Sequence, residues 1–358
     1  MAHTRRARRL LNRHGATRAL LGLVGRQPAP TPDEVGLPVD APDEADLRAA
    51  FRLLLGREPD EEGRQWWLPR LAQLSMEEMV AGVMDSREFR SGAICQHLLA
   101  TAPGADTGAE AIQVDAMGLK FWIDPTDRFI GSEVARGAYE PHLTPAILAE
   151  LTPGATFVDV GANIGWYSLL AARAVGAQGR VLAFEPDPGN IDLLLRSVTT
   201  NGLANVTALP VALSDRPGRA VLQRYGGSNA ALFADDGAKG VGDHRVSCLP
   251  LDVFGDLLTR LDVMKVDVEG AELLVLRGAD AVFSRYGRPV LFLEFTPSAL
   301  ERFPESSADH LGAWVTEYRY DMAVVGARGE AVGVADIAAV SDLLGDEQHL
   351  DVRLTPRS

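Results

Sequence analysis

From Thr156 onward, short apolar runs rich in β-branched residues alternate with stretches in helical spacing. Each run is continuous and ends near a polar residue, which is typical of strands buried on both faces of a sheet. Such alternation predicts a mostly parallel α/β sheet of the Rossmann-like kind, with helices on both faces and ligands at the carboxyl ends of the strands. The predicted strands are TFVDVG, RVLAFE, NVTALPVAL, DVMKVDV and PVLFLEF.

A different pattern precedes the sheet region. Leu47, Phe51 and Leu54 are spaced to share one face of a helix, and two further apolar helical stretches follow them. These helices predict a small all-α module ahead of the sheet. The predicted division is a basic arm and a Pro-rich acidic linker at residues 1–45, a helical module at 46–100 and a sheet domain at 110–358.

Composition limits the class of protein. Of the 358 residues, 46% are hydrophobic and 23% are charged, within the globular range, and no stretch approaches the roughly 20 apolar residues of a membrane span. The net charge of −14 disfavours nucleic acid, because a polyanion would be repelled. Cys95 and Cys248 form neither a disulfide framework nor a metal-type spacing. We therefore expect a soluble, cytoplasmic protein with a small or neutral partner, while its oligomeric state stays open.

The first strand of the sheet runs through a glycine-containing turn into a helix, in the sequence FVDVGANIGWYS. Gly161 and Gly165 permit a tight turn and are expected to let a ligand lie against bare backbone. Asp159 ends the strand with a carboxylate, which would repel the pyrophosphate of a dinucleotide and attract a cation. S-Adenosylmethionine carries an ammonium and a sulfonium group, so this turn, which also contains Asn163, favours that ligand over NAD.

The second strand ends in FEPDPGN. Glu185 follows Asp159 at about the separation typical of the acid that binds ribose hydroxyls, and a carboxylate can accept both hydroxyl protons. Dinucleotide enzymes share this acid, so it indicates a nucleoside and does not identify which one. An NAD-dependent oxidoreductase is the less favoured alternative, because the chain lacks the GxGxxG turn.

Six motifs, in this order along the chain, resemble the FkbM-type methyltransferases: DVGANIGWYS, FEPDPGN, VALSDRPG, PLDVF, MKVDVEGAELLVLRGA and LFLEF. The resemblance covers about residues 135 to 300. It implies a class I methyltransferase fold and an S-adenosylmethionine-dependent enzyme that methylates oxygen atoms, often on sugars or on polyketide-type natural products.

The resemblance also assigns cofactor-binding residues. GAYEPHLT is similar to the family's Tyr-Glu-Pro motif, which puts Tyr139 and Glu140 beside the methionine moiety. Many methyltransferases of this fold have an Asp near the adenine, but the matching stretch here is VALSD, so Ala212 and Leu213 take the adenine-facing positions. Adenine is then held by backbone groups and apolar packing. The full predicted set is Tyr139, Glu140, Asp159, Gly161, Asn163, Gly165, Glu185, Ala212 and Leu213.

Methyl transfer to a hydroxyl requires alignment of donor with acceptor and removal of the acceptor's proton. Asp267 ends a central strand next to the expected methyl position, and Glu294 ends the neighbouring strand. These carboxylates are predicted to act as base and orienter, or to hold a divalent cation that acidifies the hydroxyl. His142 and His244, in polar loops beside the predicted cleft, are alternative bases. Glu272 is expected near the surface.

Two further segments bear on the acceptor. LLGREPDEEGRQWWLPRL, with SREF after it, resembles the DUF4214 helical module, often attached to proteins of glycan metabolism. The polar, Gly-rich segment containing Ser228 and Asn229 is of a kind that borders ligands. Both favour a glycan acceptor. A non-catalytic scaffold with a degenerate methyltransferase domain is the other alternative, disfavoured by the intact set of Asp159, Glu185 and Asp267.

Overall fold

The structure is a computed structural model of the chain. It describes residues 42–55, 58–74, 76–84, 110–226, 229–234, 244–303, 305–344 and 349–357. The predicted basic arm, Cys95 and Ser228 lie outside the described residues. The helices are α1 (Glu44–Leu55), α2 (Glu61–Leu71), α3 (Met76–Met84), α4 (Ile130–Ala135), α5 (Leu143–Glu150), α6 (Trp166–Val175), α7 (Pro188–Thr200), α8 (Glu272–Arg277), α9 (Asp280–Tyr286), α10 (Pro297–Leu300), α11 (Ala308–Glu317) and α12 (Ile337–Leu344), with a 3₁₀ helix at Leu251–Leu257. The strands are β1 (Ile112–Ala116), β2 (Leu119–Ile123), β3 (Thr156–Val160), β4 (Arg180–Phe184), β5 (Val206–Leu209), β6 (Ala212–Leu213), β7 (Gly218–Gly226), β8 (Asn229–Ala234), β9 (His244–Leu249), β10 (Val263–Val266), β11 (Val290–Phe295), β12 (Tyr320–Val325), β13 (Ala331–Val334) and β14 (Leu350–Pro356).

An eight-stranded sheet forms the centre of the fold, in the order β13-β12-β14-β11-β10-β3-β4-β5. The strands from β11 to β5 in that order are parallel, whereas β14 lies antiparallel between β11 and β12. The predicted α/β sheet is confirmed. One predicted strand, NVTALPVAL, is divided into β5 and β6, because Pro210 has no backbone N–H to donate and β6 joins a second sheet.

Helices cover both faces of the large sheet. Val158 and Leu291 pack on one face with α8, α9, α11 and α12, whereas Phe157 and Phe292 pack on the other with α4 to α7. Successive side chains of a strand point to opposite faces of the sheet. Because helices cover both faces, the positions that point to either face are apolar in the central strands. This explains why those strands are continuous apolar runs in the sequence.

The second sheet has the order β6-β9-β7-β8 and packs beside the carboxyl ends of the central strands. Its apolar side chains, including Leu222 and Cys248, share a cluster with Ala271 and Phe303, which follow β10 and β11 in the chain. The second sheet therefore forms one wall of the region where ligands of α/β folds bind.

Helices α1 to α3 fall in the part of the chain for which a helical module is predicted. Leu47 and Met79 belong to the same buried apolar cluster as Phe254 of the sheet domain. Arg219 on β7 donates from Nε to Oδ1 of Asp46 on α1 at 3.0 Å. The module thus packs directly on the sheet domain through apolar and ionic contacts. No helix in the described ranges is long and apolar enough to cross a membrane.

Candidate active site

Acidic side chains from five neighbouring strands meet at one edge of the large sheet. Following the order of the sheet, Glu185 comes after β4, Asp159 lies in β3, Asp267 comes after β10, Glu294 lies in β11 and Asp351 in β14. Glu294 and Asp351 are direct partners in the antiparallel register. The structure therefore places four of the five acids proposed from the sequence on one edge and adds Asp351, which was not predicted. We call these five residues the acidic row.

The turn after β3 is shaped by close contacts within the chain. Gly161 has φ 75°, and a Cβ atom there would lie 1.9 Å from the carbonyl oxygen of Asp267. Gly165 has φ 92°, and its Cβ would lie 2.9 Å from Leu194 on α7. The expectation that the missing side chains make room for a ligand needs correction: at both glycines the space is taken by the protein itself.

Asp159 is a fully buried carboxylate with one unpaired oxygen. Oδ2 accepts a hydrogen bond from the Ser168 hydroxyl at 2.6 Å, whereas Oδ1 has no hydrogen-bond partner among the described residues. Burial raises the pKa of Asp159, and the nearby ammonium of Lys265 opposes that rise. An unpaired buried carboxylate oxygen is costly, so the site fits a ligand that brings a positively charged donor, such as an amino group.

Glu185 is buried between two turns. Its Oε2 accepts the backbone N–H of Asn163 at 2.8 Å, and its Oε1 accepts that of Asp187 at 2.8 Å. Asn163 adopts φ 49°, which turns its N–H toward the carboxylate. Burial raises the pKa of Glu185 to about 8, although these backbone N–H groups lower it. Each carboxylate oxygen has two lone pairs, so ribose hydroxyls can donate to Glu185 as well.

The second sheet is attached to the turn that carries Glu185. Asp187 caps α7 by accepting the backbone N–H groups of Gly189 and Asn190 at 2.8 and 3.0 Å. Arg224 on β7 contacts both oxygens of the same carboxylate, with Nε 2.6 Å from Oδ2. This ion pair holds β7 against the loop that follows β4, at the Glu185 end of the acidic row.

The Tyr-Glu-Pro segment lies in front of α5, close to the acidic row. Glu140 accepts a hydrogen bond from the hydroxyl group of Tyr167 on α6. Burial raises the pKa of Glu140 to about 7, and the carboxylates of Asp351 and Asp267 contribute to the rise. The segment therefore adds a further carboxylate that faces the middle of the row.

Lys265 is a buried ammonium that sequence analysis missed. Its Nζ lies 3.0 Å from Oδ2 of Asp267 and 5.2 Å from the centre of the Tyr167 ring. Burial disfavours the ammonium, but the carboxylates of Asp267, Asp159 and Glu140 outweigh it and hold the pKa of Lys265 above its usual range. Lys265 stands two residues before Asp267, a spacing that puts both on one face of a strand and is a signal readable from sequence.

The far end of the row contains two histidines. Nε2 of His142 lies 2.7 Å from Oδ2 of Asp351, and Nε2 of His349 lies 3.9 Å from Oε1 of Glu294. Burial raises the pKa of Glu294 well above its ordinary value, and the carboxylate of Asp267 adds to the rise. Asp351 and His349 belong to no local motif, so only the pairing of β14 with β11 reveals them.

The remaining predicted residues do not belong to the acidic row. His244 begins β9 in an exposed position, and no contact found within the described ranges links it to the acidic row. Ala212 and Leu213 form β6 and are buried, and Asn229 begins β8. Glu272 is buried and not at the surface as expected, because its Oε1 accepts two backbone N–H groups of the loop that precedes α8.

The predicted metal alternative concerned Asp267 and Glu294. Within the described part of the chain, no group of three or more His, Cys, Asp or Glu side chains is arranged to hold a metal ion. A cation already contacts one of the two carboxylates, because the Lys265 ammonium binds Asp267.

The chain is similar to known methyltransferases. The profile of the Methyltransferase FkbM domain matches residues 159–322. Methyltransferase sdnD of Sordaria araneosa is 31% identical over 211 residues, which cover 49% of this chain and 80% of that protein. Hexuronic acid methyltransferase AglP of Haloferax volcanii is 27% identical over 194 residues, which cover 50% of this chain and 72% of that protein. The crystal structure of a SAM-dependent O-methyltransferase from Thermotoga maritima has a TM-score of 0.35 and 13% identity, covering 70% of this chain and 78% of that chain.

The fold and the matches define a methyltransferase with a Rossmann-like sheet. The chain belongs to the FkbM methyltransferase family, and the match begins at Asp159 and includes Glu185, Asp267 and Glu294. The resemblance drawn from the sequence motifs is confirmed. The similarity of residues 46–92 to the DUF4214 module stays a prediction.

Proposed function

We propose that this protein is an S-adenosylmethionine-dependent O-methyltransferase that acts on a hydroxyl group of a sugar, in a glycan or in a glycosylated or polyketide natural product. The observation that carries the proposal is the buried, unpaired Oδ1 of Asp159 at the end of a central strand. The methionine end of the donor brings an ammonium, the kind of partner that this oxygen lacks.

The nucleoside side of the site fits the same donor. Glu185 would accept the ribose hydroxyls, while its backbone contacts keep its carboxylate in place. Buried Ala212 and Leu213 would supply an apolar surface for adenine. Tyr139 and Glu140 would face the methionine moiety from the other side.

The acceptor would lie toward the far end of the acidic row. When bound, S-adenosylmethionine supplies an electrophilic methyl group, and the protein has to align the hydroxyl and remove its proton. We assign the proton to Asp267 and the orientation of the acceptor to Glu294. Of the two alternative bases, only His142 is tied to the row, through Asp351.

A sugar acceptor is supported by a relative and by a predicted resemblance. The name of the Haloferax relative specifies a hexuronic acid, at 27% identity. Residues 46–92 are predicted to form a DUF4214-like module, which is often attached to proteins of glycan metabolism. Carboxylates and tyrosine hydroxyls are also the groups that bind sugar hydroxyls well.

The experiment is methyl transfer from labelled S-adenosylmethionine to a panel of neutral hexoses, hexuronic acids and cell-surface glycans. We expect label to enter at least one sugar as an alkali-stable methyl ether, and the Asp267→Asn protein to leave the panel unlabelled. Donor binding by calorimetry without label transfer to any acceptor would favour the scaffold alternative. Loss of activity with EDTA and recovery with Mg²⁺ would assign a divalent ion to Asp267 and Glu294.

A further inference from the structure

Arg224 joins the second sheet to the turn that follows β4. Its Nε donates to Oδ2 of Asp187 at 2.6 Å and its Nη2 donates to Oδ1, so the planar guanidinium binds both carboxylate oxygens. Asp187 has no exposed surface, and a buried carboxylate is costly unless a cation compensates its charge. Within the described ranges, Arg224 is the only cationic side chain in contact with it. The position of Asp187 therefore depends on a residue of the second sheet.

Asp187 in turn holds Glu185. Its backbone N–H donates to Oε1 of Glu185 at 2.8 Å. Its carboxylate accepts the N–H groups of Gly189 and Asn190 at 2.8 and 3.0 Å, which fixes the turn at the start of α7. Because the N–H and the carboxylate belong to one residue, a shift of the Asp187 carboxylate would also move the group that orients Glu185. Two direct contacts thus lead from Arg224 to Glu185.

The glycine at position 189 makes room for the guanidinium. A Cβ atom on Gly189 would lie 2.6 Å from Nη2 of Arg224, closer than van der Waals contact allows. Gly189 lies in the first turn of α7 and outside the left-handed region, so its backbone conformation does not require a glycine. Alanine stabilises a helix more than glycine does. The close approach of Arg224 therefore explains the small residue at this position.

We propose that Arg224 is a positioning residue of the donor site: by holding Asp187, it fixes the Glu185 carboxylate in the orientation that accepts the ribose hydroxyls. The proposal rests on the proposed function, since it assumes that Glu185 binds the ribose of S-adenosylmethionine. It gives the second sheet a part in donor binding through one side chain, which lies outside the six motifs that carry the family resemblance.

The test needs no acceptor, because calorimetry can follow the binding of S-adenosylmethionine and S-adenosylhomocysteine. We expect Arg224→Met to weaken both by about tenfold, the effect of losing one hydrogen bond to a charged group. The two compounds should weaken equally, since they present the same ribose. Arg224→Lys keeps the charge without the paired hydrogen bonds and should recover only part of the affinity.

Gly189→Ala perturbs the same contact without removing the arginine. Its Cβ would displace the guanidinium from Asp187, so we expect it to weaken both compounds in the same way as Arg224→Met. If the Met variant failed to fold, the Lys and Ala variants would decide in its place.

The double variant shows whether Arg224 acts through Glu185. The Glu185→Ala protein has no carboxylate left to position, so adding Arg224→Met should change donor binding by less than about twofold. A general weakening of the fold would instead lower the affinity in both backgrounds. A tenfold loss that persists in the Glu185→Ala protein would overturn the positioning role.

Arg219→Met is the matched control. Arg219 also lies on β7 and is half-buried, but it binds Asp46 on α1. We expect this variant to bind both compounds like wild type, even if it melts at a lower temperature. Unchanged donor binding in both Arg224→Met and Gly189→Ala would overturn the role of Arg224. A wild-type protein that binds neither compound would refute the proposed function instead.

Discussion

Nε2 of His142 lies 2.7 Å from Oδ2 of Asp351, although 209 positions separate the two residues in the chain. The contact ties the segment after Glu140 to β14 and sets an imidazole at the acceptor side of the acidic row. The contact distinguishes the two alternative bases, because His142 lies beside the acidic row whereas His244 lies exposed at the start of β9. The identity of the base can therefore be tested with a small set of variants.

Asp267→Asn is expected to lose about 10²–10⁴-fold in kcat while binding S-adenosylmethionine nearly as before. General-base catalysis contributes a factor of this size, and Asn preserves the shape of the side chain while removing its charge. Glu294→Gln should show a smaller loss of the same kind. The measurements are kcat with a sugar acceptor and the donor Kd by calorimetry.

The histidine variants provide the contrast for that experiment. If Asp267→Asn retains full activity, the base assignment moves to His142, and His142→Gln should then carry the large loss. His244→Gln is the matched control, and we expect it to behave like wild type in either case.

Gly161→Ala is expected to destabilise the fold as well as abolish donor binding. Its Cβ would collide with the Asp267 carbonyl oxygen at 1.9 Å, and the backbone there cannot move without shifting β10. An alanine at Gly161 suffers both from the collision and from a left-handed backbone conformation. Gly154→Ala tests the conformation without a collision, because Gly154 has φ 84° with nothing within 4 Å of its Cβ position. It should lose only about 1 kcal/mol from the left-handed conformation. Thermal melts of both variants, each with and without donor, measure the difference; equal melting temperatures would contradict the steric reason.

Glu185→Ala is expected to weaken donor binding by roughly 1.5–3 kcal/mol at a pH above 8, where the carboxylate is ionised; this is the usual contribution of hydrogen bonds to a charged acceptor. The loss should be equal for S-adenosylmethionine and S-adenosylhomocysteine, because both present the same ribose. Calorimetry with both compounds checks this. A loss confined to one of them would mean that Glu185 does not bind the ribose.

Glu272→Gln is expected to stabilise the protein at neutral pH and to leave it unchanged in acid. Burial raises the pKa of Glu272 in the folded chain to about 7 from an ordinary value of 4.5, and its Oε2 has no partner among the described residues. Between those pH values the unfolded chain has released a proton that the folded chain keeps, so stability falls as the pH rises from 4.5 to 7. The Gln variant has no carboxyl group to ionise, so its free energy of unfolding does not show this decrease, which amounts to about 3 kcal/mol. Urea unfolding at pH 4.5 and pH 7.5 tests the sign.

A chain that starts near Ala105 is expected to bind the donor but to unfold at a lower temperature than the full chain. Removing α1 and α3 uncovers Phe254 and leaves Arg219 without Asp46. Uncovering one large apolar side chain costs about 2 kcal/mol. An insoluble or donor-blind fragment would show that the sheet domain does not fold without the apolar contacts of the module, and that the predicted boundary is wrong.

The sequence was sufficient to place the acids of the proposed donor site at the carboxyl ends of the strands, because the signals for those positions are local. Asp159 and Glu185 each stand at the end of a short apolar strand and before a helix, so the strand–turn–helix order fixes their position at the carboxyl edge. The parallel order of the strands then follows from the alternation with helices. Neither step requires knowledge of contacts between distant parts of the chain.

The acceptor half depends on contacts that no local pattern encodes. Asp351 reaches the site only because β14 pairs antiparallel with β11, and β12 to β14 were not among the predicted strands. Lys265 lies within the predicted strand DVMKVDV, and a single charge in an apolar run does not by itself indicate a functional residue. An acid at the start of a helix is usually solvated, which predicts Glu272 at the surface. In the structure its carboxylate instead accepts backbone N–H groups of the preceding loop.

The position of β14 has a consequence for biosynthesis. Because β14 lies between β11 and β12, a nascent chain that has emerged only through β11 has the strands that carry Asp159, Glu185 and Asp267 but lacks Asp351. Strands β12 and β13 then have no neighbouring strand in the large sheet until the residues of β14 have been synthesised. We therefore expect the part of the sheet that carries Asp159, Glu185 and Asp267 to form on the ribosome before β14 inserts and adds Asp351 to the acidic row.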